Sequence, residues 1–391
     1  MKAIVNTKLV MEDGIIWDGA ITFEDGRIIN CGWRDDTEVP ADAEVIDAQG
    51  RYTAPGLVDI HNHGGLNRQF YLDPDTNLRW FITHGQTTVL PTFYATISLE
   101  DMLAGIDRLR ACAGKGLGRM IGGIYMEGPY MSGGGSFAYE MKWHGDIREE
   151  EYRPLVDHLD DMVKVWAIDP ARDGIGEFMK YAKAVNPDVV FSYGHSNATA
   201  SQARALKRLG CRNQTHHGDS GKAKGHAQGT IGGGIDEFAL SDPDIFCELI
   251  VDENGVHVDA DMLKMVIRTK GVERIELITD SMPTEINYRN NEALGIAWGP
   301  DLNYDREGKL AGSHLTLEHA CRNLMKHTGY GLCHAIRMAS LNPARMLGMD
   351  DEIGSLEPGK RANLIVIDDM VTVDKVFLEG DLVVDGGKLT E

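Results

Sequence analysis

Between residues 54 and 345 the chain switches repeatedly between two hydrophobic periods. Short apolar runs of strand character (LVDIH, TTVLPTF, MIGGIYME, VKVWAID, VVFSYGH, NQTHH, IFCELIVD and RIELITD) are separated by helical stretches. In those, apolar residues return every three or four positions, as in SLEDMLAGIDRLRACA, IGEFMKYAKAV, TASQARALKRLG and DADMLKMVIRTKG. Eight strands mostly alternating with helices predict an α/β fold of the (β/α)8 TIM-like barrel type, with functional groups at the carboxyl ends of the strands. A doubly wound open sheet is the alternative, but it would concentrate ligands at one switch point. The two ends of the chain have another texture. KAIVNTKLVM, GIIWDGAITFEDGRIINCG and AEVIDAQGRYT, and at the far end RANLIVIDDMVTVDKVFLEGDLVVDGGKL, alternate polar and apolar residues and break at Gly or Asp-Gly. Neither end alone has enough strands to bury a face. Residues 1–53 and 346–391 are therefore expected to join into one small β-sandwich domain beside the barrel at 54–345.

The strand-like runs end on residues that bind metals or move protons. His61 and His63 stand in LVDIHNHGG, Glu127 in IYMEGPY, His195 in VFSYGHSN, His216 in NQTHHG and Asp280 in IELITDSM. Any one of these histidines is more often a satisfied core or loop residue, and Glu127 or Asp280 alone could cap a helix. Recurrence at five strand ends points instead to one site on one face of a barrel. Residues two apart on a strand share a face, so His61 and His63 can converge on an ion while Asn62 points away. A carboxylate such as Glu127 at the end of an apolar run is costly to bury unless a cation or donors compensate it. Glu127, His195 and His216 form a set suited to Zn²⁺ or Fe²⁺ with an open position. His61 and His63 add enough ligands for a second ion, with Glu127 bridging, and the residues leave one ion or two open. Asp280 is placed to accept a proton from a metal-activated water and to return it to a leaving amine.

Bulk properties narrow the field. The chain has 391 residues, 42% hydrophobic and 25% charged, as in a globular protein too long for one small core. A formal charge of −21 argues against nucleic acid as a partner, which needs a basic face. Six scattered cysteines without a CxxC pair, no apolar leader and no long apolar run suggest a cytoplasmic protein without a membrane partner. GDSGKAKG lacks the spacing of a phosphate-cradling loop, the Gly133–Gly135 and Gly232–Gly234 runs read as loops, and SYGHS is not a nucleophile elbow.

Taken together, APGLVDIHNHGG, MEGPYMS, YGHSNAT, QTHHG, VDENGVHVD, LITDSM, LAGSHLTLEHACRN and SLNPARMLGMDDEIGSLEPGKRANLIVID resemble the amidohydrolase superfamily. Within it they are most similar to the N-acetylglucosamine-6-phosphate deacetylases, over nearly the whole chain. The resemblance implies that Glu127, His195 and His216 hold the catalytic metal and that Asp280 is the acid/base. It also implies that His144 contacts the N-acyl group, that His257 contacts the sugar or its phosphate, and that the protein is a homodimer. Related enzymes with a metal-bridging lysine carry it at the fourth strand; here that strand reads VWAIDP, and Glu127 takes the position. The chain departs from the family after His216. Where the family has a bulky residue followed by Asn-Ala-Met, this chain reads His217, Gly218, Asp219, Ser220, Gly221, and the family's phosphate-binding arginine falls near His226. Asp219, Ser220 and His226 are the candidate substrate contacts of this loop. An aspartate is unfavourable beside a phosphate dianion, although Lys222 and Lys224 could compensate. SGGGSFAYEMKW, after EGP, suggests a different cover over the sugar. The expected activity is metal-dependent removal of an N-acyl group, most simply acetyl from an amino-sugar phosphate. The alternatives are deacylation of an unphosphorylated or different N-acyl substrate and, at the far end, a catalytically silent binding protein.

Overall fold

The computed structural model describes residues 1–131, 142–143, 145–219, 232–283 and 299–390. Eight parallel strands run in chain order around one sheet: Leu57–Asn62, Gln86–Tyr94, Ile124–Glu127, Val163–Ile168, Val190–Tyr193, Cys211–Gln214, Phe246–Ile250 and Ile275–Ile278. The last meets the first. Asn62 and Ser281 form a parallel bridge, the Asp280 N–H donates to the His61 carbonyl and the His63 N–H to that of Ser281, each at 2.9 Å. Closure therefore happens at the level of the strand ends that carry the candidate residues.

A buried carboxylate fastens the same seam from below. Asp59 lies two residues before His61 and shares its face, inside the barrel. It accepts hydrogen bonds from Asn62 Nδ2 (2.9 Å), Gln86 Nε2 (2.7 Å) and Thr279 Oγ1 (2.7 Å), which joins the first, second and eighth strands. Burial pushes its carboxyl up to about 6 despite these donors. At the floor of the barrel, the helix Leu341–Leu347 supplies Asn342, whose Nδ2 donates to the carbonyls of Val272 (2.6 Å) and Ile275 (2.7 Å). Ser340 donates to the Gly56 carbonyl at 3.1 Å, so the SLNPAR segment clamps the starts of the first and eighth strands.

The helices begin where their caps are. Ser98 accepts from the Asp101 N–H ahead of Leu99–Cys112, Thr199 and Gln202 form a capping box on Ala200–Leu206, and Asp259 accepts from the Asp261 N–H ahead of Ala260–Lys270. Apolar faces of these helices and of Ile175–Val185 pack on the barrel, with Met102, Ile106, Phe178, Met179, Leu263 and Ile267 buried in one continuous core.

The ends of the chain build a second, mostly antiparallel sheet of nine strands, with the N-terminal strands on one side and Leu364–Ile367 through Lys388–Leu389 on the other. The first strand, Lys2–Val10, pairs with Glu44–Asp47 through its first half and with Tyr52–Pro55 further on. The sheet folds over itself. Phe23 and Phe377 lie on strands four steps apart, roughly 19 Å in a flat sheet, yet their ring centroids are 5.4 Å apart. Ile4, Ile21 and Phe23 from one end thereby share a core with Leu356, Leu364 and Phe377 from the other.

Candidate metal centre

Each predicted strand-end residue other than those of the loops reaches the carboxyl mouth of the barrel. Three do so through an unusual backbone. His195, His216 and Asp280 have φ of 46°, 23° and 44°, a region that costs a non-glycine residue about 1–3 kcal/mol. The turn takes each side chain out of strand alternation and over the mouth. Neighbouring groups hold these turns. Ser196 donates to Asp169 and accepts from the Ala198 N–H (2.9 Å) beside His195. Gly312 lies against Asp280, where a Cβ would come within 2.5 Å of the Asp280 carbonyl oxygen.

Glu127 is the centre of the arrangement, and its two oxygens face different partners. Oε2 lies 3.6 Å from His61 Nε2 and 3.2 Å from His63 Nε2. Oε1 lies 2.6 Å from His195 Nε2 and 3.0 Å from His216 Nε2. Asp280 stands beside the first pair, with Oδ1 3.6 Å from His61 Nε2 and 3.1 Å from His63 Nε2. All four rings turn Nε2 to the carboxylates. Two sets of potential ligands result, His61–His63–Glu127 and Glu127–His195–His216, the donor atoms within each lying within 4.8 Å of one another.

The electrostatics ask for a cation. Burial opposes charge on His61, but Asp280 and Glu127 outweigh it and raise the imidazole to about 10. Burial likewise opposes the Glu127 carboxylate, yet His61 and His195 hold it well below the usual carboxylate range. Negative groups at this spacing need compensating positive charge, which protons on the rings or a divalent ion can provide. His61 Nε2 is buried and has no hydrogen-bond partner, because both facing carboxylate oxygens are 3.6 Å away. A nitrogen left in that position, among carboxylates and other imidazoles, fits a metal ligand set of the N/O type.

Three of the rear nitrogens are fixed by oxygen acceptors. His61 Nδ1 lies 3.1 Å from Glu248 Oε2 and His63 Nδ1 lies 3.2 Å from the Thr92 carbonyl, while His216 Nδ1 is in close contact with Asp219 Oδ1. Glu248 was not among the residues singled out from the sequence. It is a fully buried carboxylate that also accepts from Asn213 Nδ2 (2.6 Å), Tyr125 Oη (3.1 Å) and the His216 N–H (3.1 Å). The signal was available, since Glu248 is the one acidic residue inside the apolar run IFCELIV. Asp59 in LVDIH is a second buried acid that was passed over for its histidine neighbours.

His257 lies on the loop after the seventh strand, with Nδ1 3.2 Å from Asp252 Oδ2 and its Nε2 buried without a partner. Asp219 is at the mouth, turned toward His216. His144, Ser220 and His226, with Lys222 and Lys224, lie outside the described residues.

Residues 52–383 match the amidohydrolase family, and the chain belongs to it. It is a hydrolase of carbon–nitrogen bonds whose fold carries a His/Glu group suited to a divalent metal. Among its relatives, an N-acetylgalactosamine-6-phosphate deacetylase of Escherichia coli O157:H7 is 30% identical over 396 residues, covering 96% of this chain and 97% of that protein. An N-acetylglucosamine-6-phosphate deacetylase of Haemophilus influenzae is 28% identical, covering 93% and 94%. An aspartate-to-alanine variant of N-acetyl-D-glucosamine-6-phosphate deacetylase from Mycobacterium smegmatis, solved in complex with N-acetyl-D-glucosamine-6-phosphate, is 28% identical. It superposes with a TM-score of 0.81, covering 98% of this chain and 99% of the other.

Proposed function

We infer that this protein removes the acetyl group from an N-acetylhexosamine 6-phosphate, with Glu127, His195, His216, His61 and His63 as metal ligands and Asp280 as the acid/base. The observation that carries the reading is the division of Glu127: one oxygen for each histidine pair, with a second carboxylate, Asp280, beside His63. Zn²⁺ or Fe²⁺ suits such donors, and two ions per chain are the expected complement. Bound there, a divalent cation acidifies water and polarises a carbonyl.

The protein's own residues do the rest. Asp280 takes a proton from the attacking water as the C–O bond forms. It returns a proton to the nitrogen as the C–N bond breaks, which releases acetate and the free amine. Glu248, Thr92 and the closed seam of the barrel hold His61 and His63 in place, so the acceptor geometry exists before substrate arrives. His257, whose Nδ1 is held by Asp252, offers its unpartnered Nε2 to the substrate as a hydrogen-bond acceptor for a hydroxyl group.

The relatives named above act, by name, on glucosamine or galactosamine derivatives, sugars that differ in configuration at one carbon. Both belong in the test. Deacetylation of N-acetylglucosamine 6-phosphate, N-acetylgalactosamine 6-phosphate and the two unphosphorylated sugars is measured with Zn²⁺ present. A kcat/KM at least about 100-fold higher on a phosphorylated sugar, a difference of roughly 2.7 kcal/mol, is expected. Equal rates with and without phosphate would favour the second reading, deacylation of an unphosphorylated N-acyl compound. The carboxylate of Asp219 at the mouth supports that second reading, since it adds negative charge near an incoming dianion.

A further inference from the structure

Asp219 occupies the position at which the sequence departs from related deacetylases, and there it is a candidate substrate contact. Its geometry points elsewhere. Oδ1 is in close contact with His216 Nδ1, on the side of the ring opposite the Nε2 that faces Glu127 Oε1 at 3.0 Å. We propose that Asp219 is a positioning residue for the metal ligand His216, fixing its tautomer and ring plane. The proposal rests on the reading of His216 as a ligand.

Three features support it. First, the turn is built to bring the carboxylate back. The Asp219 N–H donates to the His216 carbonyl at 3.4 Å, with His216 at φ 23° and Gly218 at φ 102°. A Cβ on Gly218 would meet nothing within 4 Å, so glycine is required there for its backbone angle and not for space. Second, the role is already filled at the neighbouring rings, by Glu248 for His61 and the Thr92 carbonyl for His63. Without Asp219, His216 Nδ1 would lack the oxygen that those two have. Third, the Asp219 side chain is 31% exposed, whereas Glu248 is fully buried. The carboxylate thus stays partly hydrated, and a charged acceptor that holds Nδ1–H makes Nε2 the lone-pair side and a stronger ligand. An asparagine could accept the same hydrogen bond but would bring no charge.

The test is metal affinity, which needs no substrate. Zn²⁺ dissociation constants are measured by competition with a chromophoric chelator for the full chain and for Asp219→Asn and Asp219→Ala, with thermal midpoints of the metal-free proteins alongside. Loss of a carboxylate partner behind a ligating histidine is expected to weaken Zn²⁺ binding about 10- to 100-fold, with Asn between Asp and Ala. The metal-free midpoints should stay together, and the Co²⁺-loaded variants should show altered visible bands. If both variants bind Zn²⁺ as tightly as the parent while KM for substrate rises, Asp219 is a substrate contact and the proposal is wrong. If the parent itself binds no divalent ion, the ligand reading of His216 falls, and the proposal with it. Retained affinity with displaced Co²⁺ bands in neither variant would also overturn it.

Discussion

The two halves of the centre share Glu127 but differ in access. His61 and His63 are sealed, at 0% and 2% side-chain exposure, and lie at the end of a single strand and on the residue just after it, at the seam where the barrel closes. His195 is 24% exposed and, like His216, sits on a turn with positive φ beyond its strand. The inner half is therefore rigid by construction, held by the Asp59 network below and Glu248 behind. The outer half is shaped by loops and opens to the side from which a substrate arrives. Under the proposed function the contrast assigns different tasks: the inner pair would fix Glu127 and Asp280, and the outer pair would receive the reacting group.

The strongest way to break this picture is to remove what the halves share. Glu127→Gln leaves one oxygen and one NH2 group where two oxygens stood, so it cannot serve both sets. Metal content by elemental analysis should fall from two equivalents to less than one. Deacetylase activity should fall on the order of 10³-fold, because the ion supplies several kcal/mol of transition-state stabilisation. Two bound equivalents in the variant would show that Glu127 is not the bridge. Next in size is Asp280→Asn, expected to cost about 10²- to 10⁴-fold in kcat, the range of general acid–base catalysis, with both ions retained. A proportional loss of metal would make Asp280 a ligand instead of the proton carrier.

The halves themselves are compared by His63→Asn and His195→Asn. Each should cost one equivalent of metal. The outer variant should lose about tenfold more activity than the inner one, a difference of about 1.4 kcal/mol. If the inner variant is the more damaged, the assignment of tasks is reversed.

The same contrast explains what could be read without coordinates. The eight strands and the helices Leu99–Cys112, Ile175–Val185 and Ala260–Lys270 were legible because burial imposes periods of two and 3.6 on consecutive residues, as in RIELITD and IGEFMKYAKAV. The candidate ligands were legible as a cluster because each stands at the end of such a run, and the fold brings them to one mouth. Glu248 was missed for the same reason: an acid inside an apolar run violates the pattern, and its explanation lies on three other strands and the turn after one of them, at His61, Tyr125, Asn213 and His216. The helices Glu149–Leu159, Leu317–Thr328 and Leu332–Ala339 went unread, and so did the short pair Leu302–Tyr304 and Leu310–Ser313, which lies in the mostly polar stretch DLNYDREGKLAGS. Asp219 was recognised as a departure, but sequence spacing could not show that a turn through Gly218 aims it at its own neighbour three residues back.

The smallest effect concerns a third carboxylate–imidazole pair at the same mouth, Asp252 and His257, which uses the device of the inner half with no carboxylate across from Nε2 among the described residues. Asp252 sits at about 2. Burial opposes its charge, but the His257 side chain and the N–H groups of Val256 and His257 outweigh burial. A carboxyl depressed on folding contributes stability above its unfolded pKa of about 3.9, and that contribution is lost as pH falls through the folded value. At pH 7 the shift is worth about 2 kcal/mol, which Asp252→Asn should forfeit in urea unfolding. The gap between parent and variant should narrow by roughly 1 kcal/mol between pH 6 and pH 3, as the unfolded carboxyl takes up its proton. A gap that stays constant over that range would mean that Asp252 acts through packing and not through charge. His257 would then be held by shape alone, and the likeness between this pair and the sealed half of the centre would end at geometry.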